Sequence, residues 1–202
     1  MIPGRQLKIV SFTLILVISL AISIFPVHAA ELSAATPSFT NFVTSVKDGQ
    51  AGVLRGVYVE GLFALRITQQ PTKSPAFVSS TQGVVTEFQA AKAAGNIGLL
   101  AHNYLAGKDF PALAKDQEVR IVSGDGKIEY YKVTKILRYQ TLDPKSTTSD
   151  FIDIDSGERL SSTQMFAKVY QGARHVTFQT CIYKNGDLSW GRLFIIAEPF
   201  TP

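Results

Sequence analysis

Residues 175–197 read HVTFQTCIYKNGDLSWGRLFIIA, two apolar runs separated by a polar turn. Both runs are rich in Val, Ile, Phe and Thr, which favour β-strands. Between them, Asn185-Gly186-Asp187 is typical of a tight turn, because Asn and Gly adopt backbone conformations that other residues avoid. Two strands joined by this turn run side by side, so we expect Cys181, at the end of the first, to lie near Arg192, at the start of the second.

Similar strand-like runs begin at Gly52 and continue through the chain, separated by clusters of Gly, Pro, Asp and Ser. Gly124-Asp125-Gly126 between two of them indicates a hairpin. In the next run, Tyr131, Val133 and Leu137 are interleaved with polar residues, as in a strand with one buried face. The pattern predicts an all-β fold, an antiparallel sheet or barrel. The predicted strands are residues 53–59, 62–67, 97–101, 118–123, 127–140, 175–180 and 192–197.

Helical patterns are few and short. Residues 87–94 are good helix formers ended by Gly95, residues 110–115 suit a single turn, and residues 161–170 form a third candidate. The long segment 142–172 mixes Asp, Ser and Thr before this last helix. Because connections of this length in compact domains often carry function, we predict that it is a specificity loop.

Residues 1–30 have the composition of an export segment. Arg5 and Lys8 precede a long apolar stretch, and Val27-His28-Ala29 resembles a small-residue cleavage site. Two interpretations stay open. The segment is either a cleaved signal peptide or an uncleaved anchor, since residues 9–27 approach the roughly 20 that span a bilayer. In both cases we expect an extracytoplasmic domain, secreted or held at the outer face of the cytoplasmic membrane.

The charge of the remaining chain is close to neutral. Two of the 20 basic residues lie in the export segment, so 18 basic residues face 16 acidic ones and leave a net charge of +2. No Lys/Arg-rich run or basic-aromatic stripe follows, which excludes nucleic acid as a predicted partner. Residues 31–51, rich in Ser, Thr and Ala, are predicted to be a linker or N-terminal arm before one domain at 52–202.

Cys181 is the single cysteine of the sequence. Exported proteins normally use cysteines in disulfide pairs, so an unpaired thiol there needs another explanation. It is either a nucleophile or a buried cysteine that acts as a small apolar residue. The residue count alone does not separate the two.

A cysteine nucleophile needs a basic partner and donors for the oxyanion. His102 follows the apolar run 97–101, where a buried strand emerges into a loop. His175 lies six positions before Cys181 on the same predicted strand, about 20 Å away at ~3.3 Å per residue, so we predict a structural or surface role for it. Arg192, permanently charged, is a candidate donor to an oxyanion or substrate, or else a surface residue at a strand end.

Three segments together resemble the sortase family of cysteine transpeptidases. Thr177-Phe178-Gln179-Thr180-Cys181 is similar to the sortase signature Thr-Leu-x-Thr-Cys, and residues 192–197 resemble the arginine-led final strand. Residues 95–102 resemble the segment that ends in the sortase histidine, and the order His, Cys, Arg matches. Within these motifs, Phe178 replaces the usual Leu, and Ala101 replaces the usual Gly before the histidine. The resemblance covers residues 52–199.

The resemblance implies a closed β-barrel of about eight strands, with a few short helices and a long loop before the cysteine strand. It implies that Cys181 forms a thioacyl-enzyme with a Leu-Pro-x-Thr-Gly-like sorting motif near the C-terminus of a secreted protein. His102 would protonate the leaving amine and Arg192 would steady substrate and oxyanion. The acceptor would be an amine of a cell-wall precursor or a pilin. Thr180 and Trp190 are the further candidates for substrate contact, Trp190 with packing as its alternative.

No cofactor or metal is expected. The acidic residues of the long loop, Asp150, Asp153, Asp155 and Glu158, are spaced unlike an EF-hand, although some sortases bind calcium near an equivalent loop.

Other cysteine enzymes fit the sequence less well. Papain-like hydrolases are excluded because no histidine follows Cys181, and the Ser-His-Gly-Cys surroundings of L,D-transpeptidases are absent. The remaining alternative is an exported β-barrel binding module, or an inactive sortase-like protein, with an inert cysteine.

Overall fold

The computed structural model describes Met1 and residues 36–146 and 148–202. Apart from Met1, the predicted export segment lies outside the described residues. The described part forms ten strands, three α-helices and two single-turn 3-10 helices at Ala106–Lys108 and Phe110–Ala112. The helices are α1 (Phe39–Val46), α2 (Gln89–Ala93) and α3 (Ser162–Tyr170). The strands are β1 (Leu54–Val59), β2 (Phe63–Gln69), β3 (Val84–Glu87), β4 (Ile97–Leu100), β5 (Glu118–Ser123), β6 (Ile128–Thr141), β7 (Phe151–Asp153), β8 (Arg159–Leu160), β9 (Val176–Lys184) and β10 (Asp187–Pro199).

Eight of these strands close into a barrel. They pair in the order β10-β9-β4-β3-β2-β1-β5-β6, and β6 pairs with β10 to complete the ring. The pairs β2–β3 and β4–β9 are parallel, and the other pairs of the ring are antiparallel. β7 and β8 extend the sheet beyond β6. The predicted all-β fold and closed barrel of about eight strands are therefore confirmed.

The barrel interior forms the main core. Phe63, Phe110 and Phe178 meet there, with ring centroids 6.0, 6.2 and 5.1 Å apart. Alternate residues of each strand point inward, so Phe178 and Leu193 belong to this core while Phe194 faces outward. The outward face of β10 and β6 is covered by α3, whose Met165, Val169 and Tyr170 pack against Tyr139 and Phe194 in a second cluster.

The segment predicted to be a linker contains the helix α1. Its Phe42 and Val46 pack against Tyr58 and Val122 on the outside of β1 and β5. Ser38 caps the helix by accepting a hydrogen bond from the Asn41 backbone. Intervening Thr, Ser and Asn residues obscure this apolar face in the sequence.

The predicted specificity loop is more ordered than its composition indicates. Residues 142–172 contain the short strands β7 and β8 and then α3, which begins at a capping box made by Ser161 and Gln164. β3 was not predicted, because its four residues run straight into the short helix α2. Across Met1, 36–146 and 148–202, no helix combines the length and apolar character needed to cross a bilayer.

Candidate active site

Cys181 and Arg192 face each other across the hairpin of β9 and β10. They are register partners in the antiparallel pair. The hairpin turns at Asn185 and Gly186, whose φ angles of 53° and 84° are both positive, as the Asn-Gly pair favours. Because opposed residues of an antiparallel pair point to the same side of the sheet, this turn brings a partly exposed thiol next to a guanidinium.

His102 reaches the same place from the opposite side of β9. β4 runs parallel to β9 with Leu100 paired to Gln179, and the Ala101 backbone continues the ladder by donating to the Gln179 carbonyl at 3.1 Å. Continuing this register puts His102 beside Cys181. In this register the backbones of His102, Cys181 and Arg192 form one row across the ends of three neighbouring strands.

Cys181 and Arg192 point to the outer face of the barrel. Phe178 and Thr180 of β9 are buried on the inner side, so Gln179 and Cys181 face outward. Arg192 faces outward for the same reason, since Leu193 belongs to the interior core. The outer face at this end is accessible to a ligand, while the barrel interior is filled by side chains.

Thr180 lies behind the row and fixes the backbone that leads to His102. Its buried hydroxyl donates to the Ala101 carbonyl at 2.9 Å. The Gly107 backbone donates to the His102 carbonyl at 3.0 Å, and a Cβ at Gly107 would lie 2.8 Å from the carbonyl oxygens of both Ala101 and His102. This contact gives Thr180 a role in backbone packing, and its predicted contact with substrate stays a prediction.

The Arg192 guanidinium is held by backbone carbonyls. Its Nη1 donates to Ser189 O and Gly191 O, both at 2.9 Å, and its Nη2 lies 3.5 Å from Pro144 O. Within the described part of the chain, no carboxylate pairs with Arg192. Its positive charge and its remaining N–H groups are therefore available to a substrate or an oxyanion.

Two cavities meet the row from different sides. An apolar groove of about 320 Å³ runs between α3 and the outward faces of β4, β9 and β10, and includes Gln179 and Arg192. A second cavity of about 580 Å³ at the barrel mouth is lined by Cys181, with Asn103 and Lys108 from the loop after β4. Arg192 therefore borders the groove, and its cross-strand partner Cys181 borders the second cavity.

Trp190 lies at the irregular start of β10 and lines neither of these two cavities. The Lys184 ammonium lies 4.3 Å from the centre of the Trp190 ring. The Trp190 backbone carbonyl accepts a hydrogen bond from the Thr141 hydroxyl at 2.9 Å. These contacts favour the packing alternative for Trp190. Its predicted contact with substrate remains a prediction.

Tyr104 is a site residue that was not predicted from the sequence. Its ring stacks on His102, with centroids 5.2 Å apart and planes 18° from parallel, and it is 57% exposed. A ring stacked in this position helps to hold the imidazole in one orientation. The only sequence signal was its position two residues after the histidine.

His175 has the structural role that was one of its two predicted alternatives. It is buried, and its ring nitrogens lie 2.7 Å from Ala173 O and 2.9 Å from Val169 O. Thr177 also donates to Val169 O, at 2.6 Å. His175 and Thr177 thus contact the Val169 carbonyl in the last turn of α3, and His175 also contacts the Ala173 carbonyl beyond it, which attaches the helix to the start of β9.

The acidic cluster of the long segment is engaged in ion pairs and turns. Arg159 binds Asp150 at 2.7 Å and Arg138 binds Asp155 at 3.0 Å, while Lys168 lies 3.6 Å from Glu158. Hydrogen bonds from the Ser156 and Asp155 backbones lower the pKa of Asp153 against a smaller opposing effect of burial. Among the described residues, no three His, Cys, Asp or Glu side chains are grouped as metal ligands would be.

Among solved structures, several sortases match the chain at low sequence identity. Sortase C-1 from Actinomyces oris is 14% identical with a TM-score of 0.48, over 81% of this chain and 82% of that chain. Sortase E1 from Streptomyces coelicolor, solved with a tripeptide in its active site, is 18% identical with a TM-score of 0.46, over 77% and 91%. Sortase A from Listeria monocytogenes is 12% identical with a TM-score of 0.46, over 76% and 89%. No family model matches the sequence, and no curated protein matches it significantly.

Proposed function

We propose that this protein is a sortase-type cysteine transpeptidase that transfers the acyl part of a peptide from Cys181 to an amine. The observation that carries the proposal is the row of His102, Cys181 and Arg192 across β4, β9 and β10. An inert cysteine would be expected in the core, whereas Cys181 is partly exposed and lines a cavity.

In the first half-reaction the Cys181 thiolate attacks a peptide carbonyl, and the carbonyl oxygen becomes an oxyanion. The C–N bond then breaks, the departing amine takes a proton from the His102 imidazolium, and a thioester remains on Cys181. The free N–H groups of Arg192 stabilise the oxyanion or hold the adjacent backbone. The absence of a carboxylate partner for Arg192 among the described residues supports this role.

In the second half-reaction an amine attacks the thioester. Its proton passes to the neutral His102 imidazole, the C–S bond breaks, and the thiolate is regenerated together with the imidazolium. Water is the slower substitute for the amine and gives hydrolysis. Cys181 lines one cavity and its partner Arg192 lines the other, which supports entry of the peptide and of the amine through different cavities.

We propose that the peptide donor is a secreted protein with a C-terminal sorting motif of the Leu-Pro-x-Thr-Gly kind. The acceptor is an amine of a cell-wall precursor or a pilin, and the enzyme acts outside the cytoplasmic membrane. The apolar groove beside Arg192 suits an extended peptide, because its lining combines aromatic and aliphatic side chains with a few hydrogen-bond donors. We propose that Thr180 contributes by positioning the backbone before His102.

The test uses purified wild-type protein with fluorescent Leu-Pro-x-Thr-Gly peptides that vary at x, triglycine or a pilin-type lysine peptide as acceptor, and mass detection of products. The proposal predicts a transpeptidation product that needs both the acceptor amine and Cys181. Cys181→Ala and His102→Ala are expected to form no product. Product formation by Cys181→Ala would remove Cys181 from the mechanism. A wild-type thiol that reacts only after denaturation would support a binding module instead.

A further inference from the structure

Gln179 projects from β9 on the same outward face as Cys181 and two residues before it. It lines the apolar groove together with Arg192 and is half-buried. Two residues of a strand span about 7 Å. The Gln179 amide is therefore placed about two peptide units from the reacting sulfur, along the path of a peptide that lies in the groove.

Tyr170 fixes which end of this amide faces the groove. The Tyr170 hydroxyl, on the last residue of α3, donates to Gln179 Oε1. Burial raises the pKa of Tyr170, so the hydroxyl stays protonated and remains a donor. With Oε1 held by this bond, the Nε2 amino group points away from Tyr170, and no described residue accepts a hydrogen bond from it.

The surroundings of Gln179 provide few other acceptors. The groove is lined mainly by apolar side chains, among them Phe88, Phe166 and Phe194. A polar N–H group in such surroundings favours a ligand that brings a carbonyl oxygen. An extended peptide presents one backbone carbonyl every ~3.3 Å, so one of them falls near Gln179 when another is at Cys181.

We propose that Gln179 is a substrate-binding residue that donates a hydrogen bond to the peptide carbonyl two residues before the scissile one. Tyr170 is its positioning residue, because it holds the amide in the donating orientation. The inference rests on the proposed function and adds to it a means of setting the register of the peptide. A correct register places the scissile carbonyl, and not its neighbour, against Cys181.

The experiment compares Gln179→Glu, Gln179→Leu and Tyr170→Phe with wild type on a Leu-Pro-Ala-Thr-Gly peptide. Gln179→Glu keeps the shape and the acceptor for Tyr170 but loses the amino group, so kcat/KM is expected to fall roughly 10-fold or more, mainly through KM. Tyr170→Phe is expected to lose roughly 3-fold, since the amide remains but is no longer oriented. Lys115→Ala, an exposed position that lines neither cavity, is the control and is expected to match wild type.

A second substrate separates a direct contact from a structural effect. An ester in place of the amide between Pro and Ala makes the Pro carbonyl, which lies two residues before the scissile one, a weaker hydrogen-bond acceptor. This ester is expected to lower kcat/KM for wild type and to have no further effect in Gln179→Leu. Alkylation of Cys181 by iodoacetamide is expected to remain within twofold of wild type in all variants, which verifies that the site is intact.

If wild type turns the peptide over but the Gln179 variants stay within twofold of it, the inference about Gln179 is wrong and the proposed function stands. An equal effect of the ester in wild type and Gln179→Leu would also overturn the inference. If wild type processes no peptide of the panel at all, the proposed function fails first. The two failures are therefore distinguishable.

Discussion

Cys181 and Arg192 are direct cross-strand partners in β9 and β10, and both project from the outer face of the barrel. Opposed residues of an antiparallel pair have Cβ atoms about 5 Å apart. The proximity of thiol and guanidinium is therefore a property of one local hairpin. Changing either side chain leaves that backbone relationship in place, so their contributions can be tested by substitution.

Arg192→Ala is expected to lower the rate of acyl transfer by about 100-fold or more, as loss of an oxyanion donor does in other acyl-transfer enzymes. The fold is expected to persist, because the guanidinium is only half-buried and its hydrogen bonds go to backbone carbonyls of the irregular start of β10. Arg192→Lys is expected to retain only a small part of the rate lost in Arg192→Ala, because an ammonium lacks the planar set of N–H donors of a guanidinium. Steady-state kinetics and thermal unfolding measure both effects, and an unchanged rate in Arg192→Ala would assign Arg192 to the surface.

Native Cys181 is expected to react with iodoacetamide faster in wild type than in His102→Ala, because an adjacent imidazolium favours the thiolate. The rate is followed by intact mass under native conditions, with denatured protein as the reference for full reactivity. The control is the surface variant Lys73→Ala. His175→Ala is unsuitable as a control, because His175 is buried and hydrogen-bonded. Equal rates in wild type and His102→Ala would remove His102 from thiol activation.

Thr180→Val is expected to impair catalysis without touching any reacting group. Valine keeps the shape of threonine but leaves the buried Ala101 carbonyl without its 2.9 Å hydrogen bond, at a cost of about 1–3 kcal/mol in stability. Thr180→Ser retains the donor and is the matched control. Urea denaturation and kcat together test the prediction, and a Thr180→Val protein with wild-type stability and kcat would rule out this role.

Gly107→Ala is expected to displace His102. The added Cβ would collide with the Thr180 hydroxyl and with the carbonyl oxygens of Ala101 and His102, the last two 2.8 Å away, so the loop after β4 must shift. We expect a loss of activity larger than the loss of stability, because the displaced loop carries His102 and the collision with Thr180 lies next to Cys181. The native alkylation rate of Cys181 in this variant is expected to fall toward that of His102→Ala, and a wild-type rate would show that the loop tolerates the methyl group.

Glu129 contributes stability that depends on pH. Burial acts to raise its pKa, but hydrogen bonds from Tyr131 at 2.6 Å and Arg174 at 3.0 Å outweigh it, so the pKa is lowered from 4.5. A carboxyl with a depressed folded-state pKa stabilises the fold above about pH 4.5, and this contribution is lost as the pH falls through the folded value. Glu129→Gln is therefore expected to be less stable than wild type at pH 7. Urea unfolding at pH 7 and pH 3 measures the difference in unfolding free energy between wild type and Glu129→Gln. This difference is expected to shrink at pH 3, and an equal difference at both pH values would contradict the role of Glu129.

The parts of the site that depend on local chain geometry could be predicted from the sequence. Asn185 and Gly186 indicated the hairpin, and with it the approach of Cys181 to Arg192. His102 is different, because its position depends on the parallel pairing of β4 with β9, strands that lie far apart in the chain. No local pattern reveals that pairing, so His102 was reached by elimination and by the resemblance to sortases.

The features that could not be predicted are contacts between distant or short elements. Tyr170 reaches Gln179 only because α3 packs back onto the strand that follows it. The stacking of Tyr104 on His102 depends on the conformation of the loop after β4. α1 was missed because its apolar residues are separated by Ser, Thr and Asn, and its helical form is stabilised by packing on Tyr58.

The most direct test of the proposed function is intact mass spectrometry of the protein after brief incubation with a Leu-Pro-Ala-Thr-Gly peptide and no acceptor amine. We expect a fraction of wild type to gain the mass of the Leu-Pro-Ala-Thr acyl group. This adduct is expected to be located on Cys181 by peptide mapping, released by hydroxylamine or triglycine, and absent from Cys181→Ala. No adduct on wild type with any peptide of the panel, or an adduct that persists in Cys181→Ala, would contradict it.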